Sequence, residues 1–411
     1  MLCCFGGRDV SPNLKRAETH VMEEVVRPVL PGCELITFLG RGTYGIVLLV
    51  RERSTREFFA VKIMNKHQLA REDVLGSVQL ERQVLRDAGP HPFVVECHSG
   101  IQTRDAVVLV LEYLSGGDMF DLLKTNGSMN EEQAAFYLAE IAVAIGELHR
   151  FHFVLRDLKL ENILLDREGH IRLTDFGLAA KVKDRMDSSI LDISGTAIYQ
   201  APEILNRKGH GRAVDWWAFG ILAFVIMVGK PPFSSPDLPE LYRLIREAPL
   251  SLDSHGFSEQ AKDLILQLLN RSPEQRLGTT YGVEEIMHHP FFRGIDWDAL
   301  LRMEIQPPFP APKQPPPPEN VENPLSDDTL QAFREFEIQL KRPKAKADRS
   351  SVVIQEYVVI PQKPDLTSTR PSIGLDFDDR RRDGNQRTWT GTTDDFGRTV
   401  SSPGNVTQGP T

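Results

Sequence analysis

The hydrophobic pattern of the chain predicts two regions of different secondary structure. From Glu34, runs of β-branched and aromatic residues are punctuated by glycines, as in "ELITFLGRGTYGIVLLV", which is typical of strands joined by tight turns. After Asn130 the apolar residues recur at the spacing of one helical face. We therefore predict an α+β fold in which a sheet-rich lobe is followed by a helical lobe.

Three helices of the second region have predictable ends. Asn130 and Gln133 are placed as the N-cap and reciprocal cap of one helix, and Ser258 as the N-cap of another. The segment "DWWAFGILAFVIMVG" is apolar around its whole circumference and ends at Gly229, which predicts a buried helix. The apolar faces of the two capped helices are Tyr137, Ile141, Ala144, Ile145 and Leu148 in the first and Leu264, Ile265, Leu268 and Leu269 in the second.

The two ends of the chain differ from this central region. Residues 1–33 carry few apolar repeats and are expected to form a flexible extension. From Gln306 the chain is rich in proline, "QPPFPAPKQPPPP", an extended tract that cannot continue a helix. Residues 341–411 are predicted to be a disordered C-terminal extension.

Composition and charge exclude several classes of protein. The chain has 411 residues, 41% of them hydrophobic, which is enough for a large core. Its net charge is -9 and it has no long basic block, so we expect no nucleic-acid partner. The spacing of its 4 cysteines predicts neither a disulfide framework nor a zinc site, which favours a reducing compartment. The stretch from Trp216 to Val228 is too short to span a bilayer comfortably, so we expect no transmembrane segment.

Candidate chemistry begins at a glycine-rich turn between two predicted strands. Gly40, Gly42 and Gly45 let backbone N–H groups approach phosphate oxygens where a Cβ atom would collide. The same spacing occurs in dinucleotide-binding folds and in ordinary hairpins, so alone it is weak evidence. Here a strand rather than a helix follows the glycines, which disfavours the dinucleotide alternative.

A lysine and a glutamate downstream form a candidate ion pair. Lys62, in "FAVK", lies among apolar neighbours, where a lysine is costly unless it meets an anion. The α- and β-phosphates of a nucleotide are such an anion. Glu81, in the helical stretch "VQLERQVL", can pair with Lys62 and hold it in place. An ordinary glutamate on a helix surface is the alternative for Glu81.

The densest cluster of chemical groups is "LRDLKLENILLD" followed by "LTDFG". Asp157 can orient or accept the proton of an attacking hydroxyl, and Lys159 can neutralise a transferring phosphoryl group. Asn162 and Asp175 offer hard oxygen ligands for Mg2+ from the two ends of a hairpin. The cluster predicts that ATP and Mg2+ bind in one cleft. The alternative, that these residue types recur in order by chance in surface loops, does not explain the cluster.

These motifs together resemble those of the eukaryotic protein kinases, and within them the AGC group, the relatives of the cyclic-AMP-dependent, C-type and ribosomal-S6 protein kinases. "LKLEN" is similar to the "LKPEN" of serine/threonine kinases, and "GTAIYQAPE" to their platform for protein substrates. The resemblance implies the bilobal kinase fold, with a small antiparallel sheet and one helix in the N-lobe and a larger helical C-lobe. It also implies transfer of the ATP γ-phosphoryl group to serine and threonine hydroxyls of protein substrates.

The resemblance implies a domain organisation as well. It places a protein kinase domain at 34–292 and an AGC-type C-terminal tail at 293–340. Glu203 in "APE" and Arg276 in "QRLG" match the pair that anchors the helical lobe of family members.

Nucleotide-binding positions also follow from the resemblance. Leu111 corresponds to the gatekeeper, Glu112 and Leu114 to the adenine-binding hinge, and Val47 with Ala60 to the two sides of the adenine ring. The complete implied set is Gly40, Gly42, Gly45, Val47, Ala60, Lys62, Leu111, Glu112, Leu114, Asp118, Asn162 and Asp175.

The chain departs from the family pattern at several positions. Leu155 replaces the histidine or tyrosine before the catalytic Arg-Asp, and Leu160 replaces a proline, but neither position carries the chemistry. Ala197, Ile198 and Gln200 change the floor against which the substrate residue after the acceptor rests, so that preference stays open. Leu155 is expected to complete an apolar column between the lobes, the other members being Leu85, Cys97 and Phe176.

The activation segment is predicted to carry a built-in charge. By resemblance, Asp192 stands where relatives carry a phosphorylated threonine that clamps an arginine, here Arg156. Ser77 and Ala180 stand where relatives often add basic partners, which suits one negative charge better than two. We predict that this loop needs no phosphorylation.

The C-terminal tail contains "FREFE", which resembles a hydrophobic motif that docks on the N-lobe. Phe333 and Phe336 would be the docking aromatics, and Glu337 stands at the phosphorylated position of relatives. An amphipathic helix through Leu330, Phe333 and Leu340 is the alternative.

Substrate selection is predicted from two carboxylates. Asp118 and Glu161 match positions that bind an arginine three residues before the acceptor in basophilic relatives, with solvated caps as the alternative. Val225 replaces the carboxylate for the residue two before the acceptor, so selectivity there should be weak.

A pseudokinase acting as a scaffold or allosteric partner is the main alternative to an active enzyme, and a small-molecule kinase is a third. The presence of every catalytic residue type favours the active protein kinase. We expect a monomer in the cytoplasm, and the nucleus is an alternative location. Cys3 and Cys4 are candidate palmitoylation sites, but Leu2 stands where myristoylation needs glycine, and we favour an unmodified terminus.

Overall fold

The computed structural model describes Leu30 and residues 32–42, 45–71, 74–103, 106–310 and 358–359, all within a compact unit that ends at Lys363. Most of the predicted N-terminal and C-terminal extensions lie outside these residues. The candidate acylation sites and the tail motif also lie outside them, namely Cys3, Cys4, Phe333, Phe336 and Glu337.

The first lobe is built on an antiparallel sheet with the strand order β1-β2-β3-β5-β4-β10. Helices α1 (Lys66–Arg71) and α2 (Leu75–Ala88) connect β3 to β4. The last strand comes from the segment predicted to be disordered, and it pairs with the outer edge of β4. The strands are β1 (Cys33–Gly42), β2 (Gly45–Glu52), β3 (Phe58–Asn65), β4 (Cys97–Gln102), β5 (Ala106–Glu112) and β10 (Val358–Val359).

Apolar residues cover both faces of this sheet. One face carries its own buried cluster, whereas the other packs against α2 and joins the larger core that continues into the second lobe. The sheet is therefore held to the helical lobe through α2. The cluster on the first face consists of Ile46, Leu48, Val50, Val61, Ile63, Ala106 and Val108.

The second lobe is helical, as predicted. Asn130 and Gln133 form the expected reciprocal cap, with bonds of 2.9 and 3.1 Å between each side chain and the other residue's backbone N–H. Ser258 caps its helix through the N–H of Ala261, and Gly229 ends the buried helix with a φ of 82°. The helices are α3 (Met119–Asn126), α4 (Glu131–Arg150), α5 (Pro202–Leu205), α6 (Ala213–Val228), α7 (Leu238–Glu247), α8 (Glu259–Leu268), α9 (Val283–Met287) and α10 (Trp297–Leu301).

Two short antiparallel pairs lie at the junction of the lobes. Strand β6 (Phe153–Val154) pairs with β9 (Ala180–Lys181), and β7 (Ile163–Leu165) pairs with β8 (Ile171–Leu173). The loop between β6 and β7 and the segment after β8 carry the densest predicted cluster of chemical groups. Because Ile163 pairs with Leu173, the loop before β7 and the segment after β8 lie side by side.

A buried ion pair between Arg276 and Glu203 connects distant segments of the helical lobe. Arg276 donates from Nη1 and Nη2 to the two carboxylate oxygens of Glu203, at 2.7 and 2.9 Å. It also donates to the carbonyl oxygens of Ala213 and Asn270. The predicted pairing is confirmed, and the additional bonds explain how an arginine can be fully buried here. None of the helices in the described part of the chain has the length and apolarity that a membrane span requires.

Candidate active site

Lys62 is the centre of the candidate site. Its Nζ donates to Glu81 Oε1 at 2.6 Å and to Asp175 Oδ1 at 3.0 Å. Strand β3 supplies the lysine, α2 the glutamate, and the segment after β8 the aspartate. The predicted ion pair is therefore present, and it ties the sheet, its helix and the second lobe together.

The charges at this centre reinforce one another. Burial alone would lower the pKa of Lys62, but the carboxylates of Glu81 and Asp175 outweigh it and raise that pKa well above the usual value. Burial would likewise raise the pKa of Asp175, yet the Lys62 ammonium lowers it. The lysine is therefore an ammonium and Asp175 a carboxylate at neutral pH.

Asp157 lies at the centre of a second network. Its Oδ1 accepts hydrogen bonds from the N–H (3.0 Å) and hydroxyl (2.9 Å) of Thr196. Its Oδ2 accepts from Lys159 Nζ at 2.5 Å and from Asn162 Nδ2 at 3.3 Å. Four donors from two segments thus fix the carboxylate of Asp157. Among these four donors, only Lys159 Nζ carries a positive charge.

Asn162 and Asp175 have the donor chemistry that Mg2+ prefers. Asn162 Nδ2 bonds to the backbone oxygen of Asp157 at 2.9 Å, which leaves its amide oxygen as the atom it can offer a cation. The Asp175 side chain is 48% exposed. No cluster of three or more His, Cys, Asp or Glu side chains that could hold a metal occurs among the described residues. Two hard oxygen donors, completed by phosphates and water, fit Mg2+ rather than an all-protein cage.

Two of these residues have an unusual backbone. Asp175 has a φ of 58° and Arg156 a φ of 67°, both in the left-handed region that non-glycine residues seldom adopt. The backbone N–H groups of Leu155 and Arg156 donate to the buried carboxylate of Asp215, at 2.9 and 3.0 Å. These bonds hold the strained turn formed by Leu155 and Arg156 before Asp157, which we call the catalytic turn.

The glycines of the predicted phosphate-binding turn lie in β1 and β2. Gly40 pairs with Val47, and Gly42 with Gly45, in the β1–β2 hairpin. A Cβ atom on Gly40 would meet nothing within 4 Å, whereas one on Gly45 would lie 2.0 Å from the carbonyl oxygen of Ile63. Gly45 is therefore required by the packing of β2 on β3, a reason that the sequence alone does not show.

The predicted adenine positions share neighbouring strands. Val47 pairs with Lys62 across β2 and β3, and Ala60 pairs with Leu111 across β3 and β5. Glu112 ends β5, and Leu114 follows it at the passage to the second lobe. The Glu112 carboxylate accepts the N–H of Glu96 at 2.7 Å, so its side chain ties the end of β5 to the residue before β4.

The four residues predicted to form an apolar column between the lobes are all buried. Leu85 comes from α2, Cys97 from β4, Leu155 from the segment after β6, and Phe176 from the segment after β8. All four belong to the same hydrophobic core. Leucine at position 155 is therefore accommodated without a polar group.

Asp118 lies at the start of α3, and Glu161 lies in the loop between β6 and β7. Asp118 caps α3, accepting the N–H of Asp121 at 2.8 Å. Partial burial raises the pKa of Asp118, and the carboxylates of Asp121 and Glu161 add to the effect. Two carboxylates close enough to influence each other leave a local negative charge that is favourable for a cation.

The activation segment contacts the catalytic turn through a charge pair. Arg156 Nη1 lies 2.6 and 2.7 Å from the two carboxylate oxygens of Asp192. Arg156 is nearly buried, whereas the Asp192 side chain is 58% exposed. The predicted juxtaposition of these residues is confirmed.

Two residues of the site, Thr196 and Asp215, were not singled out in the sequence. Thr196 binds Asp157, and Asp215 holds the backbone of the catalytic turn while accepting His149 Nε2 at 2.8 Å. The only available signals were the threonine in "SGTA" and the acidic residue that opens the apolar helix "DWWAFG". A charged residue inside a fully apolar helix is costly unless paired, and that cost could have marked Asp215.

Comparison with known proteins identifies the family of the chain. Residues 33–292 match the protein kinase domain family. The chain is 42% identical to ribosomal protein S6 kinase alpha-2 of Mus musculus over 294 residues, which cover 71% of this chain and 40% of that protein. It is 42% identical to ribosomal protein S6 kinase alpha-3 of Homo sapiens over 316 residues (74% and 42%) and 41% identical to alpha-6 of Homo sapiens over 295 residues (71% and 39%).

The chain therefore belongs to the protein kinase family, and within it to the serine/threonine kinases of the AGC group. Its aligned relatives are ribosomal protein S6 kinases, and the chain spans about two-fifths of their length. ATP as phosphoryl donor and Mg2+ as cofactor, both predicted from the motifs, are those that this family uses.

Proposed function

We propose that this protein transfers the γ-phosphoryl group of ATP to serine and threonine hydroxyls of protein substrates. The observation that carries the proposal is the position of Lys62, which bonds to both Glu81 and Asp175. This places the residue proposed for phosphate binding beside one proposed for Mg2+ binding. A scaffold that had lost catalysis would have no need to keep this arrangement.

Each residue has a separate task in the proposed reaction. Lys62 would bind the α- and β-phosphates, since its ammonium is held in place by Glu81. Asp157 would orient the substrate hydroxyl and accept its proton as the oxygen attacks the γ-phosphorus. The bond from that phosphorus to the β-phosphate oxygen would break, and ADP would leave. Lys159 would offset the negative charge of the transferring group. Mg2+, held by Asn162 and Asp175, would supply further charge neutralisation between the phosphates.

We also propose that the enzyme is basophilic. Asp118 and Glu161 influence each other electrostatically, and Glu161 is exposed to solvent. Arginine suits such a pair because its planar guanidinium can bond to two carboxylates at once. The expected substrate carries arginine three residues before the acceptor.

A further proposal is that Asp192 replaces an activating phosphate. Its carboxylate already holds the guanidinium of Arg156 from both oxygens. A carboxylate has one charge against about 1.5 to 2 for a phosphate, so the clamp is weaker than a phosphate clamp but permanent. The enzyme would be constitutively competent with respect to this loop.

Protein substrates, a monomeric state and an intracellular location complete the proposal. The acidic net charge of -9 and the low cysteine content support the location and disfavour nucleic acid. Light scattering of the purified full chain measures the oligomeric state. Imaging of the tagged full chain in cells tests the location, and extracellular secretion would contradict it.

The direct test is phosphate transfer from radiolabelled ATP to an array of serine and threonine peptides, with Asp175→Ala as the matched control. We expect label on peptides with wild-type protein and none above background with the variant. Equal label from both proteins would reveal a contaminating kinase. No label from either, with ATP binding retained, would favour the pseudokinase alternative.

A further inference from the structure

Gln200 is a buried amide at the foot of the activation segment. Its side chain lies in the turn before α5 and is 5% exposed. Nε2 donates two hydrogen bonds, to the carbonyl oxygens of Ser194 and Gly195, both at 3.0 Å. The amide therefore ties the turn before α5 to two adjacent carbonyl groups of the turn that follows Asp192.

The segment held by Gln200 leads directly to Asp157. Gly195 has a φ of 91°, and a Cβ atom on it would lie 2.3 Å from the carbonyl oxygen of Arg156, so the loop rests on the catalytic turn. Thr196, the next residue, donates from its N–H and hydroxyl to Asp157. A shift of the Ser194 and Gly195 carbonyls would thus move the donors that fix the Asp157 carboxylate.

The orientation of the Gln200 side-chain amide leaves its oxygen without a hydrogen-bond partner among the described residues, which costs stability. Gln200 Oε1 and Ser194 Oγ are buried without a hydrogen-bond partner in the described part of the chain. A buried acceptor left unpaired destabilises a fold, and such exceptions concentrate at functional positions. Reversing the amide would place its oxygen against two carbonyl oxygens, so the observed orientation is the one that holds the loop.

We propose that Gln200 is a positioning residue for phosphoryl transfer, acting through Thr196 on Asp157. Together with the Asp192 charge pair, its amide holds the part of the activation segment between Asp192 and Gln200 without a phosphate. This inference rests on the proposed kinase activity, and it assigns Gln200 no contact with ATP.

The test compares Gln200→Leu with the wild-type full chain. Leucine keeps the approximate volume and removes both N–H donors. Gln267→Leu is the matched control, because Gln267 is partly buried and its amide donates one side-chain bond, to Asp263 at 2.9 Å, in α8 of the same lobe. Peptide phosphorylation is measured to give kcat and the KM for ATP, alongside the melting temperature.

We expect Gln200→Leu to lower kcat by on the order of 10- to 100-fold, as small displacements of catalytic groups do. The KM for ATP should stay within about twofold of wild type, since Lys62 and Asp175 are untouched, and Gln267→Leu should leave kcat unchanged. In a Thr196→Val background, where the bond from the threonine hydroxyl is already gone, the loss caused by Gln200→Leu should be several-fold smaller.

Two results would overturn the inference. One is a Gln200→Leu enzyme with wild-type kcat, and the other is an equal loss of kcat in the wild-type and Thr196→Val backgrounds, which would indicate a general structural effect. Absence of transfer by the wild-type protein would instead refute the proposed function, and the inference with it.

Discussion

Arg156 Nη1 is shared between the two carboxylate oxygens of Asp192, at 2.6 and 2.7 Å. The same arginine donates from Nε to the carbonyl oxygen of Leu178 at 2.7 Å, and its backbone N–H bonds to Asp215. Arg156 therefore joins the activation segment, the segment after Asp175 and the buried helix α6. Because Asp157 is the next residue, this junction determines where the proposed base stands.

The first prediction concerns the built-in charge. Asp192→Ala should lower kcat by on the order of tenfold, equivalent to about 1.4 kcal/mol, because Arg156 loses its partner on the loop. Asp192→Asn keeps the size and tests the charge alone. Peptide kinase assays on protein made in bacteria and treated with phosphatase measure the effect, and treatment itself should not change wild-type activity. Loss of activity on treatment, with phosphate mapped to Ser188, Ser189 or Ser194, would contradict the prediction.

The second prediction concerns Lys62. Lys62→Met should lower phosphorylation of peptide by at least about 100-fold while the protein still folds. Its melting temperature should fall, because the buried Glu81 carboxylate loses its partner. Methionine has similar length but cannot bind phosphates or Glu81. Steady-state kinetics and thermal unfolding are measured on the same preparations. Lys66→Met, on the neighbouring helix α1, is the control and should retain activity; an active Lys62→Met enzyme would remove the lysine from the mechanism.

The third prediction concerns substrate selection. Peptides with arginine three residues before the acceptor should be preferred, and Asp118→Asn should reduce that preference by about tenfold, a usual effect of losing one charge-assisted contact. A positional scanning peptide library measures both. Glu168→Gln removes an exposed carboxylate elsewhere in the same lobe and should leave the preference intact. If the library shows no preference for arginine three residues before the acceptor, the role of Asp118 and Glu161 is refuted.

The fourth prediction is the pH dependence of that selection. The pKa of Asp118 is raised by burial, so its carboxylate is protonated at a higher pH than an ordinary aspartate. The preference for arginine should therefore weaken as the pH falls toward this raised pKa, and Asp118→Asn should reduce the pH dependence, because only the Glu161 carboxylate then remains. KM ratios for arginine and alanine peptides across the acidic range report it. A pH-independent ratio in the wild-type enzyme would be the contrary result.

The fifth prediction concerns stability. Arg276→Ala should reduce the free energy of unfolding by about 3 to 5 kcal/mol, because it leaves the buried Glu203 carboxylate unpaired. Arg243 offers a matched control, since it makes the same two-pronged contact with Glu240 at 2.7 and 2.8 Å but on the surface. Arg243→Ala should change stability little. Denaturant unfolding compares the two variants, and equal effects would disprove the role given to burial.

The sequence by itself determined the helix ends and the chemical inventory of the site. Asn130 with Gln133, and Ser258 with its helix, interact within a few residues along the chain, so residue type and spacing specify them. Lys62, Asp157, Asn162 and Asp175 were recognisable because their residue types suit phosphate and Mg2+ and because they occur in the order of the protein kinase motifs. The apolar helix that ends at Gly229 was equally evident from its composition.

Only the tertiary structure decided which distant groups hold that chemistry in place. Asp215 bonds to the backbone of Arg156, 59 residues away, and Thr196 to Asp157, 39 residues away. Gln200 became a candidate only when its amide was found against two carbonyl oxygens. No local pattern specifies such contacts, because a buried donor finds its acceptor through the packing of whole elements, and that packing depends on the entire chain.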